Sequence, residues 1–196
     1  MRTADVAAAR VPLWPAATAS AVLALTAFTA VIAVSAAAAA DLASANAVAV
    51  GTGQIDHRVL SGDRDAVAIG TRNLGAIALL AGGAATGGML TVLAIAVLGV
   101  GIGWSAAAVV GALGVTETVA RISPYIVFEG AAVMIAAVAG LLPGAQALLA
   151  AARRQPSPFR EYTRALSTSL ALAGIAAALI IVAAAVEAIV IGAHTT

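Results

Sequence analysis

Three apolar stretches of the 196-residue chain carry side chains that membrane helices rarely contain. Glu129 follows the run SPYIVF, Glu187 lies within IIVAAAVEAIVIG, and Arg72 and Asn73 precede LGAIALLAGG. A charged group in hydrocarbon is costly, so such residues usually face the interior of a helix bundle and pair there. Two carboxylates and one arginine have the chemistry of an ion-pair clamp, of an acid–base pair or of a proton-linked site.

The simplest arrangement of these groups places Arg72 between Glu129 and Glu187, with Asn73 hydrogen-bonded nearby. Tyr125 lies four residues before Glu129, on the same helix face, so its hydroxyl can reach the same cluster. We expect this intramembrane cluster to act as a structural clamp between three helices. The alternative is a functional role, as a proton-linked site or as a pocket for a peptide or a partner helix.

The composition predicts that the elements holding these residues are membrane helices. The chain is 62% hydrophobic and 10% charged, and its mean hydropathy is +1.06, more apolar surface than a soluble domain of this size can bury. We expect an all-α, polytopic helical bundle that forms one membrane domain over residues 1–196. The absence of cysteine excludes disulfides and thiolate metal sites, and a net charge of +1 gives no attraction for nucleic acid.

Five spans are predicted from the apolar runs of about 20 residues that a crossing requires. A glycine-rich break, 82–88, separates the second from the third, and Pro124 suits the first turn of the fourth. Residues 41–65 are expected to form an exposed loop, and residues 151–164 a basic cytoplasmic loop. The predicted spans cover about 13–40, 66–84, 89–115, 124–144 and 165–192.

The first of these spans also resembles a secretory signal peptide, with arginines before it and the alanine-rich AVSAAAAAD at its end. The apolar stretch is long for a signal, so we expect an uncleaved anchor.

The distribution of arginine predicts the orientation. With the amino terminus in the cytoplasm and five spans, six arginines face two acidic residues inside, and four arginines face seven acidic residues outside. The carboxyl terminus then lies outside. This topology places Arg72, Asn73, Glu129 and Glu187 in the outer third of the bilayer.

The segment RRQPSPFREYTR is expected to be a positive-inside loop, and it is also a candidate docking site for a cytoplasmic subunit or for anionic lipid. Small-xxx-small spacings in GVGIGWSAAAVVGALG indicate close helix packing within one bundle, or else a face for a homo-oligomer. No metal-binding or nucleotide-binding motif occurs, so no cofactor is expected. The candidate docking residues are Arg153, Arg154, Phe159, Arg160, Tyr162 and Arg164.

The order of these motifs resembles the stage II sporulation protein M family, over about Asn46 to Ile191. Asn73 begins the run NLGAIALLAGGAATGG, a glycine-studded span follows, and SPYIVFEG and VAAAVEAIV contain the two glutamates. Tyr125 and Ile126 replace the histidine and glycine of the family motif, so no role of an imidazole proton transfers to this chain. Asn73, Glu129 and Glu187 match the family pattern.

The resemblance implies an integral membrane protein that works within an assembly. Sporulation members join a peptidoglycan-remodelling complex, and short members accompany circular bacteriocins, usually beside an ABC transporter. We therefore expect a non-enzymatic subunit that scaffolds or gates a complex handling a peptide or an envelope component, surrounded by membrane lipid. The alternatives are an intramembrane peptidase or cyclase using Glu129 and Glu187, and a small proton-coupled transporter.

Overall fold

The computed structural model describes residues 12–49 and 66–193, apart from the side chains of 44–49, 66, 68, 69, 121, 188 and 190–193. In this part of the chain all regular structure is helical, which confirms the predicted all-α class. Predictions that concern residues 1–11, 50–65 and 194–196 lie outside the described residues. The helices are α1 (Leu13–Ala49), α2 (Ala66–Gly82), α3 (Met89–Leu113), α4 (Val115–Ala152) and α5 (Pro158–Ala193), with a 3₁₀ turn at Gly83–Ala85.

Four of these helices contain segments long and apolar enough to cross a membrane. α2 has 17 residues, which gives it a length of about 25 Å, slightly less than the hydrocarbon core of about 30 Å. The polytopic membrane bundle is therefore confirmed, whereas the fifth crossing, by α2, stays a prediction. The four segments are Leu13–Ala43, Met89–Leu113, Ile122–Ala152 and Pro158–Glu187.

The five helices alternate in direction along the chain, as successive crossings must. α1 and α3 run parallel, α3 and α4 run antiparallel, and so do α4 and α5, which pack most extensively. The contacts that set these directions are Val31 with Gly99 and Ser35 with Gly103, then Gly88 with Leu141, then Ser169 with Ala139 and Gln146 with Glu161.

All five helices contribute to one core that contains more alanine than any other residue. Phe28, Leu80 and Ile180 are its large members, and alanines such as Ala132 and Ala136 let the helix backbones approach closely. Close approach brings carbonyl groups of one helix within reach of hydroxyls on the next. The core therefore combines tight apolar packing with short side-chain-to-backbone hydrogen bonds.

The predicted glycine-rich break between the second and third helices is confirmed. Gly87 and Gly88 have φ angles of 66° and 100°, a region that side-chain-bearing residues rarely adopt. Gly83 is packed against Thr91, whose Oγ1 donates a 2.7 Å hydrogen bond to the carbonyl oxygen of Leu80. This turn closes α2 and α3 into a hairpin.

The fourth helix is longer at both ends than the sequence predicts. The polar segment VTETVARIS forms the first turns of α4, and Gly114 alone, with φ 79° and ψ 162°, separates it from α3. At the other end α4 continues past Gly140 and Gly144 to Ala152. These two glycines do not break the helix; a Cβ at either would overlap a carbonyl oxygen of Leu80 or Gly87.

Two loop boundaries differ from the prediction as well. α1 continues beyond residue 40 to Ala49, so the expected loop 41–65 begins later. α5 begins at Pro158, so the basic connection shortens to 153–157. At the start of α5 the helix extends through polar residues because Gln146 of α4 donates a hydrogen bond to Glu161, a contact that hydropathy does not reveal.

Candidate functional site: the polar cluster and the basic corner

A direct side-chain hydrogen bond joins α2 to α4 inside the bundle. The Nδ2 atom of Asn73 donates to Oε1 of Glu129 over 2.8 Å, and both side chains are half-buried. An amide can stay uncharged in an apolar setting while it satisfies one oxygen of the carboxylate. Asn73 is therefore the residue through which α2 forms a hydrogen bond with Glu129 of α4.

Two further predicted residues lie near this pair. Glu187 of α5 is half-buried and interacts electrostatically with both Glu129 and Tyr125. Tyr125 is half-buried on α4, one helical turn before Glu129. The structure thus brings together Asn73, Tyr125, Glu129 and Glu187, which we call the polar cluster.

Arg72 does not take the place that the sequence predicts for it. Its side chain is exposed, and among the described residues it forms no ion pair with Glu129 or Glu187. Consecutive residues of a helix are turned by about 100° about its axis, and Asn73 occupies the face of α2 that points at α4. The prediction that Arg72 lies between Glu129 and Glu187 is therefore wrong, since the side chain of Arg72 points out of the bundle.

Aromatic residues other than the buried Phe28 gather at two levels of the bundle. At one level Phe159 stacks on Tyr162 with ring centroids 6.4 Å apart. Trp14 lies at about the same level, because Ala16 and Ala165 belong to one core cluster. At the other, the antiparallel register of α3 and α4 brings Trp104 level with Tyr125 and Phe128. We call these the Trp14 level and the Trp104 level.

The two levels are separated by the thickness of a membrane. Val31 packs on Gly99 and Ser35 on Gly103, so Trp104 is level with Ala36 on α1. From Trp14 to Ala36 the helical rise gives about 33 Å, close to the hydrocarbon thickness of about 30 Å. Trp and Tyr concentrate at membrane interfaces, so these levels mark the two boundaries. Tyr125 then lies at the Trp104 level, and Glu129, one helical turn further along α4, lies about 6 Å inside it.

The predicted docking residues divide into two groups. Tyr162 donates a short hydrogen bond to the carbonyl oxygen of Ala84, and Arg164 pairs with Glu161 at 3.4 Å, so both are engaged within the chain. Phe159 is 75% exposed on the outer side of the bundle. The other exposed members, next to it at the α4–α5 connection, are Arg153, Arg154 and Arg160, and with Phe159 they form what we call the basic corner.

One polar pair next to this corner is absent from the sequence prediction. Gln146 is fully buried, and its Nε2 donates to Oε2 of Glu161 over 3.3 Å; Glu161 itself is 9% exposed. The sequence prediction places Glu161 in the basic cytoplasmic loop 151–164. The signal that could have identified the pair is Gln146, a polar residue within the apolar run LPGAQALLA.

Two carboxylates, a phenol and an amide in one cluster have the chemistry that holding or exchanging protons requires. Within 12–49 and 66–193, no group of three His, Asp or Glu side chains is placed to bind a metal ion. The glycines of the middle hairpin serve packing at Gly99 and Gly103, whereas a Cβ at Gly101 or Gly111 would meet no atom within 4 Å.

Apolar helices of spanning length, joined by polar contacts inside the bundle, define a multi-pass α-helical membrane protein that associates with lipid. The profile of the family described as "Stage II sporulation protein M" matches residues 19–190, and the chain belongs to that family. Searches of curated proteins and of solved structures found no significant match to this chain.

Proposed function

We propose that this protein is a non-catalytic membrane subunit that scaffolds or gates an assembly handling a peptide or a cell-envelope component. Membership of the stage II sporulation protein M family supports a membrane role. The connections between helices at residues 83–88, 114 and 153–157 are short, so the described chain has little outside the bundle with which to act on a soluble substrate. Work on such a substrate then comes from partners, and an ATP-driven ABC transporter is the partner we propose.

The observation that best supports a partner is the basic corner. Three exposed arginines lie within six residues of an aromatic ring that is 75% exposed, and Glu161, the acidic residue next to them in the described sequence, is buried and paired. Phe159 is held in place because it stacks on Tyr162, which is bonded to Ala84. A fixed aromatic side chain within a positive surface is a typical anchor of protein interfaces. We propose that it contacts an acidic cytoplasmic surface, with the amino terminus of the chain inside the cell.

Co-purification tests this proposal. The tagged chain is extracted from its native membranes in mild detergent, and associated proteins are quantified by mass spectrometry. The expected result is a stable assembly that is lost in Phe159→Ser combined with Arg153→Gln and Arg160→Gln. Phe128→Ser is the matched control, because Phe128 is an exposed aromatic residue of the other boundary. A wild-type chain that purifies alone contradicts the proposal.

The proximity of Glu129 and Glu187 favours a second candidate, an acid–base role within the membrane. It includes an intramembrane peptidase or cyclase and a proton-coupled transporter. Purified protein is mixed with a precursor peptide, or reconstituted in vesicles to measure proton flux, without any ATPase. Turnover or flux that Glu129→Gln abolishes while the fold is retained supports this candidate and contradicts the scaffold.

A further inference from the structure

One face of α2 carries a charge that the described bundle does not neutralise. α2 packs against α3, α4 and α5 through Gly70, Ile77 and Leu80, and its opposite face exposes Arg72. On the predicted crossing of the membrane by α2, Arg72 lies about 18 Å along the helix from Ala84, which Tyr162 holds at the Trp14 level. This depth is close to the middle of the hydrocarbon core. An unpaired charge is costly in hydrocarbon, so we expect the guanidinium to meet an oppositely charged group.

The same face of α2 is built from small residues next to this arginine. Thr71, Gly75 and Ala78 are exposed, and a Cβ added at Gly75 would meet no atom within 4 Å. The hydroxyl of Thr71 already has a hydrogen-bond partner, because its Oγ1 donates to the carbonyl oxygen of Val67 over 2.7 Å. Gly75 thus has no packing role among the described residues and does not have a positive φ. Small residues on an exposed membrane helix allow another helix to approach closely.

We infer that this face of α2 is the docking surface for a transmembrane helix of another protein, and that this helix carries an Asp or Glu level with Arg72. The inference rests on the proposed function, since it names one partner of the proposed assembly. The small residues let the two backbones approach, and the carboxylate meets the arginine in a medium where an unpaired charge is costly. Together these features specify the partner as a membrane helix with a carboxylate in its membrane-embedded part.

A second copy of this chain fits the surface less well. A two-fold pairing through α2 would bring the same patch of both copies together, so Arg72 would face Arg72 at the same depth. Glu129, the nearest carboxylate on α4, is half-buried and hydrogen-bonded to Asn73, so it is not presented to a neighbour. Charge complementarity therefore favours a different protein.

Site-directed photocrosslinking in native membranes tests the inference. Benzoylphenylalanine replaces Leu79, which is 48% exposed and lies two helical turns from Arg72 on the same face. The expected product joins α2 to a transmembrane peptide that contains Asp or Glu. Arg72→Glu should lower the yield roughly threefold to twentyfold, the range of interhelical polar contacts in membranes. In the Arg72→Glu variant, changing the partner's carboxylate to Arg should restore the crosslink yield.

A matched pair of glycines controls for bulk. Gly75→Leu should abolish the crosslink, whereas Gly101→Leu, at an equally open glycine of α3, should leave it unchanged. The inference is overturned if Leu79 crosslinks only to lipid, only to a second copy, or to a segment without a carboxylate. It is also overturned if the wild-type assembly purifies and neither Arg72→Glu nor Gly75→Leu weakens the crosslink. A wild-type chain that purifies without partners instead contradicts the proposed function.

Discussion

Glu129 and Tyr162 each join separate parts of the bundle through one polar group. Glu129 accepts from Asn73 of α2, and Tyr162 donates to the carbonyl of Ala84 in the turn between α2 and α3. Both attach α2 and its turn to the longer helices, one near each membrane boundary. Loss of either contact should loosen the α2–α3 hairpin without disturbing the packing of α4 on α5.

A double-mutant cycle measures the first contact. Asn73→Ala, Glu129→Ala and the double variant should give a favourable coupling of about 1 kcal/mol in unfolding from bicelles, the scale of a hydrogen bond between membrane helices. The pair Asn73 and Glu187, which share no hydrogen bond, is the control and should couple by much less. Equal coupling in the two cycles would show that Asn73 does not select Glu129.

The two tyrosines form a natural comparison for the second contact. Tyr162→Phe removes only the hydroxyl that donates to Ala84, and it should lower the free energy of unfolding by about 1 kcal/mol. Tyr125→Phe removes a hydroxyl for which no hydrogen bond is formed within the described chain, so it should change stability by less than half as much. Thermal denaturation in one detergent checks both, and a reversed order contradicts the contact.

The sequence identifies some of these residues and misplaces others for a physical reason. Asn73, Glu129 and Glu187 are recognisable because polar residues are rare in apolar runs, and the run gives their depth. Hydropathy does not give the rotation of one helix about its axis relative to another. The sequence therefore does not reveal that Arg72 points away from Glu129 and Glu187.

At the level of elements, the prolines of α4 explain why its ends differ from the prediction. A proline within a helix leaves the carbonyl four residues earlier without its donor. The carbonyl freed by Pro124 belongs to Ala120 and accepts from the hydroxyl of Ser123 over 3.3 Å. The carbonyl freed by Pro143 belongs to Ala139 and accepts from Ser169 of α5 over 2.6 Å. The helix continues because hydroxyls replace the missing amides.

This replacement can be tested at Pro143. Ser169→Ala leaves the carbonyl of Ala139 buried without a donor and should lower stability by about 1–2 kcal/mol. Ser167→Ala, an exposed serine on the same helix, should be nearly neutral. In a Pro143→Ala background the amide returns, so Ser169→Ala should then cost much less. An unchanged cost in that background would contradict the proposed replacement.

Hydropathy is enough to predict that the elements are helices, but where a helix ends depends on hydrogen-bond partners in other helices. Five apolar runs suffice to predict five helices and the turn at Gly87 and Gly88, since positive φ angles require glycine there. The partner of Ala139 lies on another helix, thirty residues away in sequence. No local pattern contains that contact, so the sequence predicts a span of only 124–144 where the helix runs from Val115 to Ala152.

For the whole molecule, composition is enough to predict the membrane location, whereas orientation depends on a modest arginine bias. The absence of cysteine allows a direct measurement. With the amino terminus inside, a membrane-impermeant maleimide should label Thr116→Cys in intact cells. Ser157→Cys should be labelled only after the membrane is opened. The opposite pattern would invert the topology and place the basic corner outside the cytoplasm.

α4 has 38 residues, so it is about 57 Å long and exceeds the membrane it crosses. Its first ten residues, with the end of α3 and the bend at Gly114, stand about 15 Å beyond the Trp104 level. Its last residue adjoins Arg153 at the basic corner. A single helix, α4, therefore connects the protruding α3–α4 bend on one side of the bilayer to the basic corner on the other. If α4 tilts as a rigid body about its middle, its two ends move in opposite directions on the two sides of the membrane.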